Sequence, residues 1–148
     1  MRLVILSLLT LLLTNCAGTI SPPWQERVTI TNDRGGVITR FVSKYKRWAA
    51  QGKLVVVDGY CASSCTTAIG IIPRHNLCVT RRAIWGFHGA WARSGFSRIE
   101  LPDQTHLMTD AYTSDINAWI QSKGGLKTYK TMLLMRYPET AKYFRMCN

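Results

Sequence analysis

Apolar runs along the chain predict short β-strands separated by helical segments. Residues 28–31 alternate with β-branched side chains, and residues 54–57 form a continuous apolar run. Such a run is typical of a strand that is buried on both faces of a parallel sheet. Two more apolar segments, at 77–80 and 83–87, predict two further strands.

Other segments place apolar residues at helical spacing. From residue 37, Val37, Phe41 and Tyr45 recur every four positions, and Gly52 ends this helix. Small residues after the strand at 54–57 predict a short helix. Five segments are predicted to be helical in all: 37–51, 62–70, 103–123, 127–135 and 139–144. The order of strands and helices indicates an α/β layer architecture.

The first sixteen residues predict a targeting segment rather than part of the fold. A basic start is followed by an eleven-residue, mainly apolar stretch at 3–13, which is too short to span a bilayer and typical of a signal peptide. A Leu three positions before Cys16 resembles the lipobox of bacterial lipoproteins, although Asn15 is larger than usual there. Lipidation at Cys16, cleavage of a plain secretory signal and an uncleaved anchor are the alternatives. All three predict export.

Beyond the targeting segment, residues 17–27 predict a tether because they carry a Pro-Pro pair and little periodicity. Residues 28–148 then form the one folded domain that a chain of 148 residues predicts. Hydrophobic residues make up 47% of the sequence and charged residues 18%, which is typical of a chain with a packed core.

The net charge of +11 favours contact with anionic surfaces. Because the sequence contains no recognisable nucleic-acid-binding motif, we expect no nucleic-acid partner. An anionic membrane surface beside a lipid anchor explains the charge more simply. The predicted localisation is therefore the bacterial cell envelope or periplasm, with a secreted soluble protein as the alternative.

Four cysteines remain after Cys16, and an even number in an exported chain predicts disulfides. They are Cys61, Cys65, Cys78 and Cys147. Three pairings are possible, and the sequence does not choose among them. A zinc site is the alternative, but no second close pair of Cys or His completes the usual ligand spacing. We expect no metal and no cofactor.

Three loop segments carry candidate catalytic groups. Gly35 and Gly36 follow a strand and precede a helix, where outward backbone N–H groups can hold an oxyanion. Ser63 and Ser64 follow the buried strand, where a hydroxyl would be presented at the carboxyl end of the sheet. His88 follows another strand and can act as a general base. Each motif alone has a structural explanation, as a turn, a helix cap or a hydrogen-bonded histidine.

In order and spacing, these segments resemble the Clp-type serine peptidase family of the Clp/crotonase fold. The match consists of Asn32 with the two glycines, the Gly-x-x-Ala-Ser element that ends at Ser63, and a histidine that ends a strand pair. The resemblance extends over residues 28–89. It implies a layered α/β fold with a small, mostly parallel sheet and a helical C-terminal tail.

The resemblance implies a hydrolase in which Ser63 is the nucleophile and His88 the base, and Ser63 is preferred to Ser64 by register. The amides of Gly35, Gly36 and Ser64 would form the oxyanion hole. A cysteine nucleophile is less favoured, because export promotes oxidation of thiols. A disulfide from Cys61 or Cys65 would stiffen the loop around the nucleophile.

In the family an Asp beyond the histidine completes a catalytic triad, and no motif of this sequence matches it. The extended element with which the family builds stacked rings is not evident either. The candidate acids are Asp115 and Asp110, with Glu139 as a weaker third. We expect a small exported hydrolase, a peptidase acting on peptide or protein substrates, without an ATP-driven unfoldase; a homo-oligomer stays open. One alternative is an inactive envelope protein that keeps the fold for binding or assembly. Another is acyl or thioester hydrolysis on the same scaffold.

Overall fold

The computed structural model describes residues 25–147. The predicted signal segment, Cys16 and nearly all of the predicted tether lie outside this range. In chain order the elements are β1 (Arg27–Asp33), α1 (Ile38–Ala50), β2 (Leu54–Ala62), a 3₁₀ helix (Ser63–Thr67), α2 (Ala68–Ile71), a 3₁₀ turn (Arg74–Asn76), β3 (Leu77–Val79), β4 (Ile84–Phe87), β5 (Trp91–Ser94), β6 (Ser97–Glu100), α3 (Pro102–Thr109), α4 (Ser114–Ser122), β7 (Leu133–Arg136) and α5 (Thr140–Tyr143).

The main sheet has five strands and is mostly parallel. The long strand β2 lies at its centre and pairs in parallel with β1 on one side. On its other side β2 pairs first with β3 and then, nearer its carboxyl end, with β4. Strand β7 adds antiparallel to β4, while β5 and β6 form a separate two-stranded hairpin. The predicted α/β class with a mostly parallel sheet is therefore confirmed.

The core forms where the apolar run of β2 meets the helices. Val55 and Val57 are completely buried, as predicted for a strand covered on both faces. Tyr45 of α1 is also completely buried, and its hydroxyl lies 3.4 Å from Cys65 Sγ. Burial raises the pKa of Tyr45 well above its usual range, so the phenol stays neutral. The predicted face of α1 thus packs against the segment that follows β2.

Two segments differ from the predictions. The helix predicted over 103–123 is divided into α3 and α4, because the intervening residues turn and Asn117 Nδ2 donates to the Thr109 carbonyl at the end of α3. The helix predicted over 127–135 is wrong, since β7 occupies its end. Met135 of β7 lies buried opposite Trp85, so pairing with β4 overrides the local helical spacing.

The four cysteines of the described chain form two disulfides. Cys61–Cys65 joins the end of β2 to the 3₁₀ helix, and Cys78–Cys147 joins β3 to a segment 69 residues later. The cysteines are therefore paired with one another rather than arranged as a zinc site. Two disulfides in a small domain are typical of an oxidising or extracellular environment.

Within residues 25–147, no helix has both the length and the apolar character needed to cross a membrane.

Candidate active site

A cleft of about 730 Å³ lies where β1, β2 and β4 end. It brings together all three sequence segments that carry candidate chemistry, because carboxyl ends of neighbouring parallel strands meet at one edge of a sheet. One wall, here called the elbow wall, consists of residues 33–36 and 62–64. A second wall, the hairpin wall, is the β5–β6 hairpin, which lines the cleft through residues 91–93 of β5. The lining includes Gly35, Gly36, Ser63, His88, Trp91 and Arg93.

Ser63 stands at a sharp turn between β2 and the 3₁₀ helix. Its φ of 58° lies in the left-handed region, whereas Ala62 before it is extended. It is the one non-glycine residue among those described that has a positive φ. Residues with such strain cluster at functional sites, and a serine on a tight strand-to-helix turn has the geometry of a nucleophile elbow.

Ser64 has a structural role. Its side chain is completely buried, and its hydroxyl oxygen accepts a hydrogen bond from the Gly36 N–H at 2.7 Å. The same hydroxyl donates to the Gly36 carbonyl at 3.0 Å. Both contacts clamp the Gly-Gly turn onto the elbow. Because this hydroxyl is buried and engaged, the structure favours Ser63 over Ser64 as the exposed hydroxyl of the cleft.

Gly35 packs directly against the elbow. A Cβ atom at this position would lie 2.7 Å from the Ala62 carbonyl oxygen and 2.8 Å from the Ser64 nitrogen. Its φ of 78° adds a second reason for glycine. No other residue type fits this contact without moving the turn away from Ser63.

The expected oxyanion hole is engaged by the chain's own side chains. The Gly35 N–H donates to Asp33 Oδ1 at 2.9 Å, and the Gly36 N–H donates to Ser64 Oγ. These two amides therefore do not point freely into the cleft in this conformation. The Ser64 amide lies in the first turn of the 3₁₀ helix, where a backbone N–H has no acceptor within the helix. It is the third candidate donor.

His88 is only 6% exposed and lies just beyond β4. Its Nδ1 is 2.6 Å from the Gly89 carbonyl oxygen. Because a carbonyl oxygen can only accept, Nδ1 donates, and Nε2 of the neutral ring is left as an acceptor. Among the hydrogen bonds of residues 25–147, none joins Ser63 to His88. The two side chains share the cleft without the hydrogen bond that a formed catalytic pair would show.

None of the three candidate acids lines the cleft. Asp115 pairs with Arg74 at 2.6 Å. Partial burial raises the pKa of Asp115, but hydrogen bonds such as that from Arg74 outweigh it and the pKa lies below its usual value. Asp110 lines a separate groove beside His106, and Glu139 accepts from Trp119 Nε1 at 2.8 Å. The orienting acceptor of His88 is thus the Gly89 carbonyl oxygen.

Sequence reasoning missed the hairpin wall. Trp91 and Arg93 of β5 line the cleft, and so does Arg34 of the elbow wall. The hairpin had a readable signal, because Gly95 and Phe96 form a two-residue loop between polar-apolar alternations. That Arg34 would line the cleft had no comparable signal in the sequence.

Comparison with protein-family models finds no match to this chain, and comparison with curated proteins finds none either.

Proposed function

We propose that the protein is an exported serine hydrolase, a Clp-like peptidase that uses Ser63 as nucleophile and His88 as general base. The observation that carries this proposal is the shared cleft, which is lined both by a serine with a φ of 58° and by a buried histidine. A non-glycine residue in the left-handed region is costly, and the fold maintains it at the position where a nucleophile would be presented. The parallel sheet, with both groups at its carboxyl edge, supports the Clp/crotonase assignment.

In this mechanism His88 Nε2 accepts the proton of the Ser63 hydroxyl as Oγ attacks the substrate carbonyl carbon. The Gly89 carbonyl fixes the ring in the required tautomer, in the role that an aspartate has in a full triad. The protonated ring then donates its proton to the leaving amine, and an acyl-enzyme remains. Water, deprotonated by the same Nε2, hydrolyses the ester and restores Ser63. The Ser63–His88 hydrogen bond forms in the substrate complex, as catalytic contacts commonly tighten on binding.

The Ser64 amide is the donor best placed for the oxyanion, since it directly follows the nucleophile. The Gly36 amide becomes a second donor to the oxyanion only if its hydrogen bond to the Ser64 hydroxyl breaks. A hole with one permanent donor and no carboxylate behind the histidine predicts a slow hydrolase.

Export and attachment belong to the same proposal. The two disulfides support an oxidising compartment, and the lipobox-like segment supports anchoring through Cys16 at the bacterial envelope. The basic net charge supports contact with anionic lipid beside that anchor. In that compartment no ATP-driven unfoldase is expected.

A fluorophosphonate probe tests the proposal, because it reacts with activated serines. We expect labelling of the wild-type protein and its loss in Ser63→Ala. His88→Ala should slow labelling by about 100-fold or more, the usual contribution of a general base. Ser43→Ala, which changes an exposed serine of α1, is the matched control and should label like the wild type. Labelling that survives Ser63→Ala in a folded protein would contradict the proposal.

The second candidate function is a binding or assembly protein that has kept the fold without catalysis. The occupied amides of Gly35 and Gly36 favour it, as does the absence of a hydrogen bond between Ser63 and His88 among the described residues. Under this alternative, folded wild-type protein does not react with the probe under conditions in which a known serine hydrolase is labelled completely.

A further inference from the structure

The cleft carries positive charge and no negative charge. All eight acidic residues of the sequence lie in the part of the chain that the structure describes. None of them lines the cleft, whereas Arg34 lines its elbow wall and Arg93 its hairpin wall. A ligand that enters between these walls therefore meets two guanidinium groups and no carboxylate.

Both arginines lack an ion-pair partner in the part of the chain that the structure describes. Within residues 25–147, neither Arg34 nor Arg93 has a carboxylate oxygen within 4 Å, although four other basic residues do. The acids that could have neutralised them are engaged elsewhere: Asp33 with Lys44 and the Gly35 amide, and Glu100 with Thr128. The guanidinium groups are exposed and remain available to an incoming anion.

The hairpin places a second arginine opposite Arg93. Arg93 and Arg98 are direct cross-strand partners, and like charges in that arrangement destabilise a hairpin. Arg98 is held by aromatic rings rather than by an acid, with its guanidinium carbon 4.3 Å from the centre of Trp91 and 6.0 Å from that of Tyr129. An anion bound beside Arg93 would relieve this repulsion, so the local charge pattern favours a liganded state.

Apart from Ser63, His88 and Gln104, the side chains that line the rest of the cleft are mainly apolar. Val37, Leu101 and Met108 line it, and the side chain of Val37 is exposed although it is apolar. A ligand that fits this surface combines a bulky apolar group with an acidic group. Since Arg34 directly precedes Gly35, which contacts the Ser63 elbow, the acidic group would lie near the reacting carbonyl.

From this charge and shape we propose that the cleft selects peptides in which an acidic residue adjoins a bulky apolar residue. This specificity rests on the proposed peptidase function, but it concerns binding and is testable without catalysis. Arg34 and Arg93 recognise the carboxylate, and the apolar lining receives the neighbouring side chain. A concave cleft of about 730 Å³ with apolar side chains in its lining favours a peptide over a flat anionic lipid surface as the occupant.

The test uses two peptides of the sequence Ac-Ala-Ala-Glu-Leu-Ala and its Gln counterpart, each with the same uncharged coumarin label. Binding to the full chain carrying Ser63→Ala is measured by fluorescence anisotropy, so no turnover occurs. We expect the Glu peptide to bind about 10-fold more tightly than the Gln peptide, as one charge-assisted pair provides. Added to Ser63→Ala, Arg93→Gln or Arg34→Gln should reduce this ratio to about 2-fold or less. Arg136→Gln, an exposed arginine on β7 outside the cleft, should leave it unchanged.

Equal binding of the two peptides, or no binding of either, would overturn the proposed specificity. It would also be overturned if Arg93→Gln weakened binding to vesicles containing phosphatidylglycerol but left the peptide ratio intact, because the arginine would then serve a lipid surface. Fluorophosphonate labelling of the wild-type protein is scored separately. A chain that labels at Ser63 but binds both peptides equally retains the hydrolase proposal and loses only its specificity.

Discussion

The two walls of the cleft are built in opposite ways. On the elbow wall, Cys61 is bonded to Cys65, Ser64 clamps Gly36, and Thr66 and Thr67 donate to the carbonyls of Ser63 and Ser64 at 2.6 and 2.8 Å. On the hairpin wall, every residue of β6 is exposed, and Phe96 at the tip is fully exposed. The hairpin is a separate two-stranded sheet that pairs with no strand of the main sheet.

This difference separates two requirements of a catalytic cleft. A nucleophile has to be held in one geometry, so its wall consists of side chains with many fixed contacts. A recognition surface has to accept a ligand, and the hairpin provides charge and aromatic surface with few internal restraints. We therefore expect changes on the elbow wall to affect stability and labelling together, and changes on the hairpin wall to affect neither strongly.

The largest expected effect comes from the long-range disulfide, with the short one as its comparison. Replacing Cys78 and Cys147 by serine removes a link over 69 residues and should cost about 4 kcal/mol of unfolding free energy by the chain-entropy estimate. Replacing Cys61 and Cys65 by serine removes a link over only four residues and should cost about 2 kcal/mol. Chemical denaturation measures both losses.

Probe labelling then distinguishes the two disulfides. The Cys61/Cys65 variant should label more slowly under conditions in which it is still folded, because its link holds the elbow. The folded fraction of the Cys78/Cys147 variant should label at the wild-type rate. The reverse pattern would show that the elbow does not depend on its own disulfide.

Two glycines with similar φ give the next comparison. Gly35→Ala should cost about 3 kcal/mol or more, because the methyl group meets Ala62 and Ser64 in addition to the strain of a positive φ. Gly95 in the hairpin has a φ of 58°, but no atom lies within 4 Å of a Cβ built there. Gly95→Ala should therefore cost only about 1 kcal/mol of unfolding free energy. Thermal unfolding compares the two variants. Equal losses would mean that the close approach of Gly35 to the elbow contributes no stability.

The smallest expected effect concerns pH. Asp58 accepts hydrogen bonds from Arg82 and Thr80, and these lower the pKa of its carboxyl group. A lowered pKa in the folded state stabilises the fold above the usual carboxyl range near pH 4, and this contribution is lost as the pH falls through the lowered value.

Asp58→Asn should therefore reduce the loss of stability between pH 5 and about pH 2 in denaturation measurements. Asp103→Asn, which changes an exposed carboxylate of α3 without an ion pair in the described chain, is the control. If the unfolding free energy of Asp58→Asn fell with pH as steeply as that of the wild type, the hydrogen bonds of Asp58 would not contribute to acid sensitivity.

The sequence was sufficient to predict the part of the fold that depends on local pattern. The apolar run that begins β2, the helical spacing of α1 and the strands before His88 all lie within a few residues of their predicted positions. The pattern failed where tertiary contacts decide. The sequence predicts a helix over residues 127–135, but residues 133–136 form β7, in which Met135 pairs with Trp85 of β4, and that partner is not local in sequence.

The candidate site shows the same division. The spacing of Gly35, Ser63 and His88 predicted that they share one site, and all three line one cleft. The engagement of the glycine amides was not predictable, because it depends on the orientation of the Ser64 and Asp33 side chains. The hydrogen bond between His88 and the Gly89 carbonyl could not be predicted either, because every residue has a backbone carbonyl and the sequence does not show which one accepts.

The most direct test of the central claim is a crystal structure of the protein after reaction with a fluorophosphonate. The account predicts continuous density from Ser63 Oγ to the phosphorus atom, with His88 Nε2 within about 3 Å of the adduct. It also predicts a phosphoryl oxygen within hydrogen-bond distance of the Ser64 amide. Phosphorus bound to another residue, or an adduct on Ser63 with His88 turned away from it, would contradict the account.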